Sequence, residues 1–376
     1  MDKIPFNRPF LIGKELHYMS QAVLSGHIAG DGQFTKQCHA LLENKFGAAR
    51  VLLTTSCTAA LEMAMILCKI GPDDEVVVPS FTFVSTVNAF HIRGARPVFV
   101  DIRRDTLNLD ETRLADAAGP RTKAVVPVHY GGVGCEMDAI LAFAAAHGLR
   151  VIEDAAQAMN ARYRGSWLGT IGDLGTLSFH ETKNCICGEG GALIINDPSL
   201  AERAEIIREK GTNRSQFFRG EIDKYTWVDI GSSYLPSDLL AAFLFAQLEN
   251  MDTIDRRRRV LFERYQQTLA PLADRGLLRG PVIPEHCQPC GHLFYILLND
   301  ARTRDRLQRY LNERNIGAVF HYVPLHLSPM GQRLGYRQGQ LPVTEDVSAR
   351  LLRLPLFYEL REPEQDRVVA TIADFF

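Results

Sequence analysis

An aspartate and a lysine, 29 residues apart, carry the most specific chemistry in this chain. Asp154 closes the apolar run Val151-Ile152-Glu153-Asp154 and is followed by small Ala155-Ala156 and then Gln157. Lys183 ends the stretch Ser178-Phe179-His180-Glu181-Thr182-Lys183, which leads into Gly188-Glu189-Gly190-Gly191. A carboxylate at a strand end can hold a pyridine nitrogen protonated. A lysine in a loop, clear of helix packing, can form a Schiff base with an aldehyde and later move a proton. Gln157, one helical turn past Asp154, can reach a ring hydroxyl, and Ser178 can donate to a phosphate. Thr54-Thr55-Ser56-Cys57-Thr58-Ala59 joins a strand to a helix, where free N–H groups and the helix dipole favour an anion. Ser56, Cys57 and Thr58 add side-chain donors there. In Pro79-Ser80-Phe81-Thr82-Phe83-Val84-Ser85-Thr86, one aromatic can stack on a flat ring while the other packs inside. Lysine, carboxylate, anion turn and stacking aromatic together meet the demands of pyridoxal 5'-phosphate (PLP).

Each feature also has a plain structural reading. Asp154, Ser56 and Thr58 suit helix caps, Lys183 suits a surface loop, and both phenylalanines suit a core. Their joint placement at strand ends, where open α/β sheets bind ligands, favours the cofactor. The phosphate turn is neither Gly-x-Gly-x-x-Gly nor a Walker loop, which weakens dinucleotide and NTP readings.

The elements that must position these residues follow from hydrophobic pattern. Short apolar runs near 51–54, 75–79, 97–101, 124–128, 150–154, 174–179 and 191–195 alternate with helical stretches up to the last pair, which has only a loop between. Strands apolar throughout imply a mostly parallel sheet covered on both faces, and the final pair makes it mixed. Ser237 to about Ala270 reads as one long helix, with Arg256-Arg257-Arg258-Arg259 as a solvated face. Residues 271–376 read as a smaller α+β unit with strands near Leu293–Leu298 and Ala318–Tyr322. The expected division is a large domain over 1–250 and a small one over 251–376. Between Asn213 and Tyr234 the pattern dissolves into polar residues and the aromatics Phe217, Phe218, Tyr225 and Trp227, whose type suggests burial.

Composition narrows the function classes. The chain has 376 residues, and 42 Lys+Arg against 44 Asp+Glu leave a formal charge of -2. That excludes a broad nucleic-acid surface, which needs a basic excess. No apolar run approaches the ~18–20 residues that cross a bilayer, so no membrane insertion is expected. The eight cysteines read as free thiols in a reducing compartment, which points to the cytoplasm. His286-Cys287-Gln288-Pro289-Cys290-Gly291-His292 has half the ligand pattern of a zinc site but no second Cys pair, so no metal is expected.

On Ser56–Leu61, Pro79–Thr86, Glu153–Gln157, Ser178–Lys183 and Gly188–Gly191, the chain resembles the DegT/DnrJ/EryC1/StrS sugar aminotransferases, over nearly its whole length. The resemblance implies fold type I of PLP enzymes. It makes Lys183 the Schiff-base lysine, Asp154 the pyridine-nitrogen partner, Gln157 the ring-hydroxyl contact and Phe83 the stacking aromatic. Ser178 with the Ser56-Cys57-Thr58 turn becomes the phosphate cradle. Members with histidine for the lysine are sugar dehydratases, a branch that Lys183 disfavours. The resemblance further implies a homodimer with active sites at the interface. Many members contact the partner's cofactor phosphate through Gly-x-Asn-Tyr; here the segment is Gly231-Ser232-Ser233-Tyr234, with the shorter Ser233 in the asparagine position.

Within the family, Glu209–Gly220 and Trp227–Asp238 are similar to the branch that aminates C4 of dTDP-4-keto-6-deoxy-D-glucose, with L-glutamate as donor, to the galacto product of enterobacterial common antigen synthesis. His321, Tyr322 and His326 in His321-Tyr322-Val323-Pro324-Leu325-His326, together with Arg219, are the expected substrate contacts, against ordinary strand and turn packing for the histidine segment. The 4-amino gluco epimer and 3-amino sugars stand as alternatives. From another class, a non-catalytic protein that binds PLP or a nucleotide-sugar is also an alternative.

Overall fold

A computed structural model describes residues 2–376; Met1, the first residue of the expected large domain, lies outside them. Seven strands form the central sheet: β1 (Arg50–Thr54), β2 (Glu75–Pro79), β3 (Arg96–Val100), β4 (Thr122–Val125), β5 (Arg150–Asp154), β6 (Leu174–Ser178) and β7 (Gly191–Ile195). Their order is β1-β7-β6-β5-β4-β2-β3. Only β7 runs against the rest, pairing antiparallel with both β1 and β6. The strands are buried nearly throughout because helices cover both faces, which is why their sequences show no polar alternation. This is the mixed, mostly parallel sheet of the α/β fold-type-I class expected from sequence.

A second sheet belongs to the C-terminal unit. Its strands are β8 (Leu278–Arg279), β9 (Phe294–Leu298) and β10 (Leu351–Leu354), antiparallel with β9 in the middle. The segment 318–322 is not a strand; it makes one bridge, Val319 to Arg353. Pro324 and the tight 3-10 turn at Leu325–Leu327 divert the chain before a ladder can extend. The long helix also divides in two, Asp238–Glu249 and Met251–Asp274, at Asn250. Asn250 closes the first helix, where its side chain donates to the Ala246 carbonyl at 2.9 Å, and occupies the N-cap position of the second without a side-chain capping bond.

Two further features depart from the expectation. Ile4 bridges to Ile316 and packs in the C-terminal core with Leu261, Leu311 and Leu352, so the N-terminal segment returns to the far unit. Arg258 is 1% exposed rather than solvated. Its guanidinium donates to the carbonyls of Gly291 (3.1 Å), His292 (2.6 Å) and Leu356 (3.2 Å), while Arg257 donates to those of Tyr358 and Leu360. A helix of residues 251–274 long enough to span both units places these arginines against turns whose carbonyls have no ladder partner, and a buried carbonyl needs a donor.

Candidate active site

The C-terminal ends of the parallel strands and the adjoining C-terminal unit enclose a cleft of about 530 Å³. The sheet wall is set by local geometry. Side chains alternate along a strand, so adjacent Glu153 and Asp154 face opposite ways. Glu153 turns into a loop, where its carboxylate accepts from the amides of Gly169, Ile171 and Gly172 and from His129 Nε2. Asp154 turns to the cleft, one oxygen accepting from Thr86 Oγ1 at 2.8 Å and the other from the Ala156 amide at 3.1 Å. Thr86 is in turn hydrogen-bonded to Thr82 at 2.9 Å. Glu153 thereby anchors the strand end, and the two threonines fix the direction of the Asp154 carboxylate.

Lys183 lies in the same cleft, in a loop that is internally tied. The Phe179 amide donates to Gly190, Cys187 to Phe179, Glu181 to Gly188 and Lys183 to His180. No hydrogen bond or ion pair among the described residues engages the Lys183 amine. Burial lowers its proton affinity below that of an ordinary lysine, with Cys57 and Asp154 opposing that shift.

The anion turn is formed where the helix Cys57–Leu67 begins. Ser56 caps it by accepting from the Ala59 amide at 3.1 Å. Among the described residues no acceptor meets the amides of Cys57 or Thr58, which leaves two N–H groups at the positive end of an 11-residue helix. Gly191 is required beside them: a Cβ there would stand 2.4 Å from the Cys57 nitrogen. Burial pushes the Cys57 thiol up to about 12, so it is neutral and contributes a weak S–H donor. Of the two aromatics, Phe81 is buried against Tyr130 and Tyr322, while Phe83 is 59% exposed and lines the cleft. Ser178 completes this wall.

These residues fit PLP. A fixed carboxylate, an amine without a partner, two unsatisfied helix amides with Ser178, and an open aromatic face match its nitrogen, aldehyde, phosphate and ring. Gln157 fits as well. Its carbonyl accepts from the Gly131 amide and one N–H donates to Tyr322 at 2.7 Å, which leaves a second N–H for a ring hydroxyl.

The opposite wall comes from the C-terminal unit. His321 and Tyr322 both line the cleft and stack at 3.7 Å. His321 Nδ1 meets the Tyr130 hydroxyl at 2.7 Å. Burial, together with the charges of Arg353 and Lys183, holds the His321 pKa well below its usual value, so the ring is neutral. His326 does not join the cleft. It is fully buried, with Ser80 on one ring nitrogen (2.7 Å) and Glu345 on the other (3.0 Å), and it ties the turn to the sheet instead of touching substrate. Arg219 also lies outside this cleft, paired with Glu205 and Glu221. Ser233 is exposed and bridges to Glu209. The aromatics around them are exposed rather than buried, Phe218 at 67% and Trp227 at 77%.

Sequence reading assigned no role to Thr86 or Arg353. Thr86 sits one helical turn past Thr82, a spacing that carries no chemistry until Asp154 is placed against it. Arg353 stands alone as a charge in the apolar strand Leu351-Leu352-Arg353-Leu354, and that isolation was the available signal. The half-zinc segment has structural partners: Cys290 donates to the Gln157 carbonyl, and His292 meets Asn184 at 3.0 Å.

Residues 11–373 match the DegT/DnrJ/EryC1/StrS aminotransferase family. The chain belongs to that family. It is accordingly an enzyme, a PLP-dependent sugar aminotransferase. The spore coat polysaccharide biosynthesis protein SpsC of Bacillus subtilis (strain 168) is 35% identical over 382 residues, covering 99% of this chain and 96% of SpsC. The aminotransferase TlmJ from Streptoalloteichus hindustanus superposes with a TM-score of 0.91 at 33% identity, over 100% of this chain and 99% of TlmJ. S. venezuelae DesV, solved with a ketimine intermediate, gives a TM-score of 0.91 at 32% identity, over 100% of this chain and 99% of DesV. Among the described residues, no helix is long and apolar enough to cross a membrane.

Proposed function

We propose that this aminotransferase moves an amino group from L-glutamate to C4 of dTDP-4-keto-6-deoxy-D-glucose. The product is dTDP-4-amino-4,6-dideoxy-D-galactose, as made by the transaminase of enterobacterial common antigen synthesis. The class rests on one observation: the unpaired Lys183 amine shares a cleft with Asp154, whose direction Thr86 fixes. The substrate rests on the resemblance of Glu209–Gly220 and Trp227–Asp238 to that branch. SpsC is, by its name, a protein of spore coat polysaccharide biosynthesis, which is in keeping with a product destined for a polysaccharide.

When bound, PLP supplies an electron sink for the carbon that loses its proton. Asp154 would hold the pyridine nitrogen and Gln157 the ring hydroxyl. Ser178 and the Ser56–Thr58 turn would hold the phosphate, and Phe83 would cover the ring. Lys183 Nζ takes the proton from the donor's Cα in the first half-reaction. In the second it returns a proton to C4 of the sugar. Its lowered proton affinity keeps more of the amine neutral near pH 7 than an ordinary lysine allows. The sugar face turned toward Nζ sets the axial product. His321 and Tyr322 form the wall against which the sugar packs, through hydrogen bonds and stacking, because the neutral imidazole offers no standing charge.

The reading includes cytoplasmic residence, a division into units at Asn250, and a homodimer in which 213–234 crosses to the partner. Ser233 and Arg219 would then serve the other subunit's cleft, and exposed Phe218, Tyr225 and Trp227 would be covered by it. Sedimentation should return twice the chain mass; a monomer with full activity would sink the dimer.

The deciding experiment incubates the protein with dTDP-4-keto-6-deoxyglucose and L-glutamate and reads the C4 proton couplings of the product by NMR. Small couplings of an axial amine are expected. The large couplings of a gluco product, or amination at C3, would overturn the substrate while leaving the enzyme class intact.

A further inference from the structure

We propose that Arg353 is the subsite for the α-carboxylate of the amino donor. The proposal rests on the aminotransferase reading above and adds to it the group that recognises the first substrate.

Arg353 is the one arginine among the described residues lining the cleft, and Lys183 is the one lysine. The lysine is committed to the cofactor. The two lining imidazoles that burial holds neutral, His292 and His321, cannot replace it as a fixed charge. His180 is turned toward Thr182 and Glu189. Arg353 is therefore the permanent cation left for a substrate anion.

Its environment is built for that purpose. Nε and one terminal nitrogen donate to the Phe320 carbonyl at 3.3 and 3.1 Å, and the Phe6 ring lies 4.7 Å from the guanidinium carbon. These contacts hold the fork in place and leave the second terminal nitrogen without a protein acceptor. No carboxylate among the described residues pairs with it; the nearby groups that favour its charge are the Tyr130 and Tyr322 hydroxyls. A partly buried guanidinium without a counter-ion is costly, and an incoming carboxylate relieves that cost.

Position separates a donor carboxylate from the other anions. The cofactor phosphate belongs at the Ser56–Thr58 helix start, on the sheet wall. In a nucleotide-sugar the diphosphate is separated from C4 by the hexose ring, so it reaches toward the mouth when C4 meets Lys183. In an α-amino acid the carboxylate is bonded directly to the carbon whose proton moves. Arg353 lies near enough to Lys183 for its charge to oppose protonation of that amine, which suits an anion adjacent to the reacting carbon.

The test uses the full-length, PLP-loaded protein. With Arg353→Gln, the L-glutamate concentration that half-saturates bleaching of the cofactor band should rise about 30-fold or more, since a charge-assisted contact is lost. Arg353→Lys should fall between. The KM for the sugar nucleotide should move less than about 2-fold. Calorimetric titration with 2-oxoglutarate gives a readout independent of turnover: wild type should bind, and the Gln variant should lose most of that affinity. In wild type, isoglutamine (α-amide) should lose about as much as the Gln variant does, and glutamine (γ-amide) should lose less. Equal use of isoglutamine and glutamate, an unchanged glutamate requirement in Arg353→Gln, or a defect confined to the sugar nucleotide would each overturn the proposal. The last of these would mark a diphosphate site. If wild type itself fails to bleach with glutamate, the glutamate donor of the proposed function fails. Bleaching of wild type with an unaffected variant sinks only the inference.

Discussion

The two walls of the cleft are assembled by different physics. The sheet wall gathers Asp154, Ser178 and the Ser56–Thr58 turn from the ends of three neighbouring elements, each pointed by its own strand or cap. The opposite wall places His321, Tyr322 and Arg353 through long-range contacts: Tyr130 to His321, Gln157 to Tyr322, and the Val319–Arg353 bridge. One wall is stiff because a buried, mostly parallel sheet underlies it. The other is only as well placed as the hydrogen bonds that dock it. Damage to the first should therefore abolish chemistry, and damage to the second should alter binding and placement.

The largest effect is expected from Lys183→Arg, which keeps a cation but removes the transferable proton at that position. Amination should fall by about 10³-fold or more, measured as product formed per folded molecule. An active Lys183→Arg enzyme would remove the lysine from the mechanism. Next comes Asp154→Asn, which keeps the shape and loses the charge; a loss of about 10²-fold is expected in the glutamate half-reaction. Thr86→Val should fall in the same direction and less far, because it frees the carboxylate without neutralising it.

Arg258→Met probes the joint between the walls rather than either face. Three buried carbonyls lose their donor, so unfolding free energy should drop by about 2 kcal/mol in denaturant melts, with turnover of the folded fraction preserved. Tyr322→Phe removes the hydrogen bond to Gln157 and should cost about 1 kcal/mol. Combined with Gln157→Leu, the two losses should be less than additive; strict additivity would show that the walls are not coupled there.

The last effect concerns pH. Burial pushes the Asp255 carboxyl up to about 7 from 3.8, against the opposing charge of Arg259. A raised folded pKa means that this group's contribution is fully present below 3.8 and is lost as pH rises through about 7. Asp255→Asn should melt close to wild type at pH 4 and gain on it toward pH 8. A gap that is constant across that range would show that the residue titrates normally.

The division between the walls also explains what was legible beforehand. Asp154 and Lys183 were readable because strand pleat, a small-residue turn and a glycine loop are local instructions. His321, Tyr322 and His326 lie within six consecutive positions, yet two face the cleft and the third is sealed behind Ser80 and Glu345. Six residues of turn do not encode which side is solvent. Arg258 misled for the same reason, since four arginines on a helix look solvated until a second unit supplies carbonyls.

By itself the sequence determined the strand ends, the helix start over the anion turn and the carboxylate–lysine pair, because each follows from backbone stereochemistry within a few residues. Tertiary structure alone decided that Ile4 joins the far core, that Thr86 orients Asp154, and that an arginine 170 positions after Lys183 enters the same cleft. Those outcomes depend on which surfaces lose water together, and that is fixed only when the two units dock.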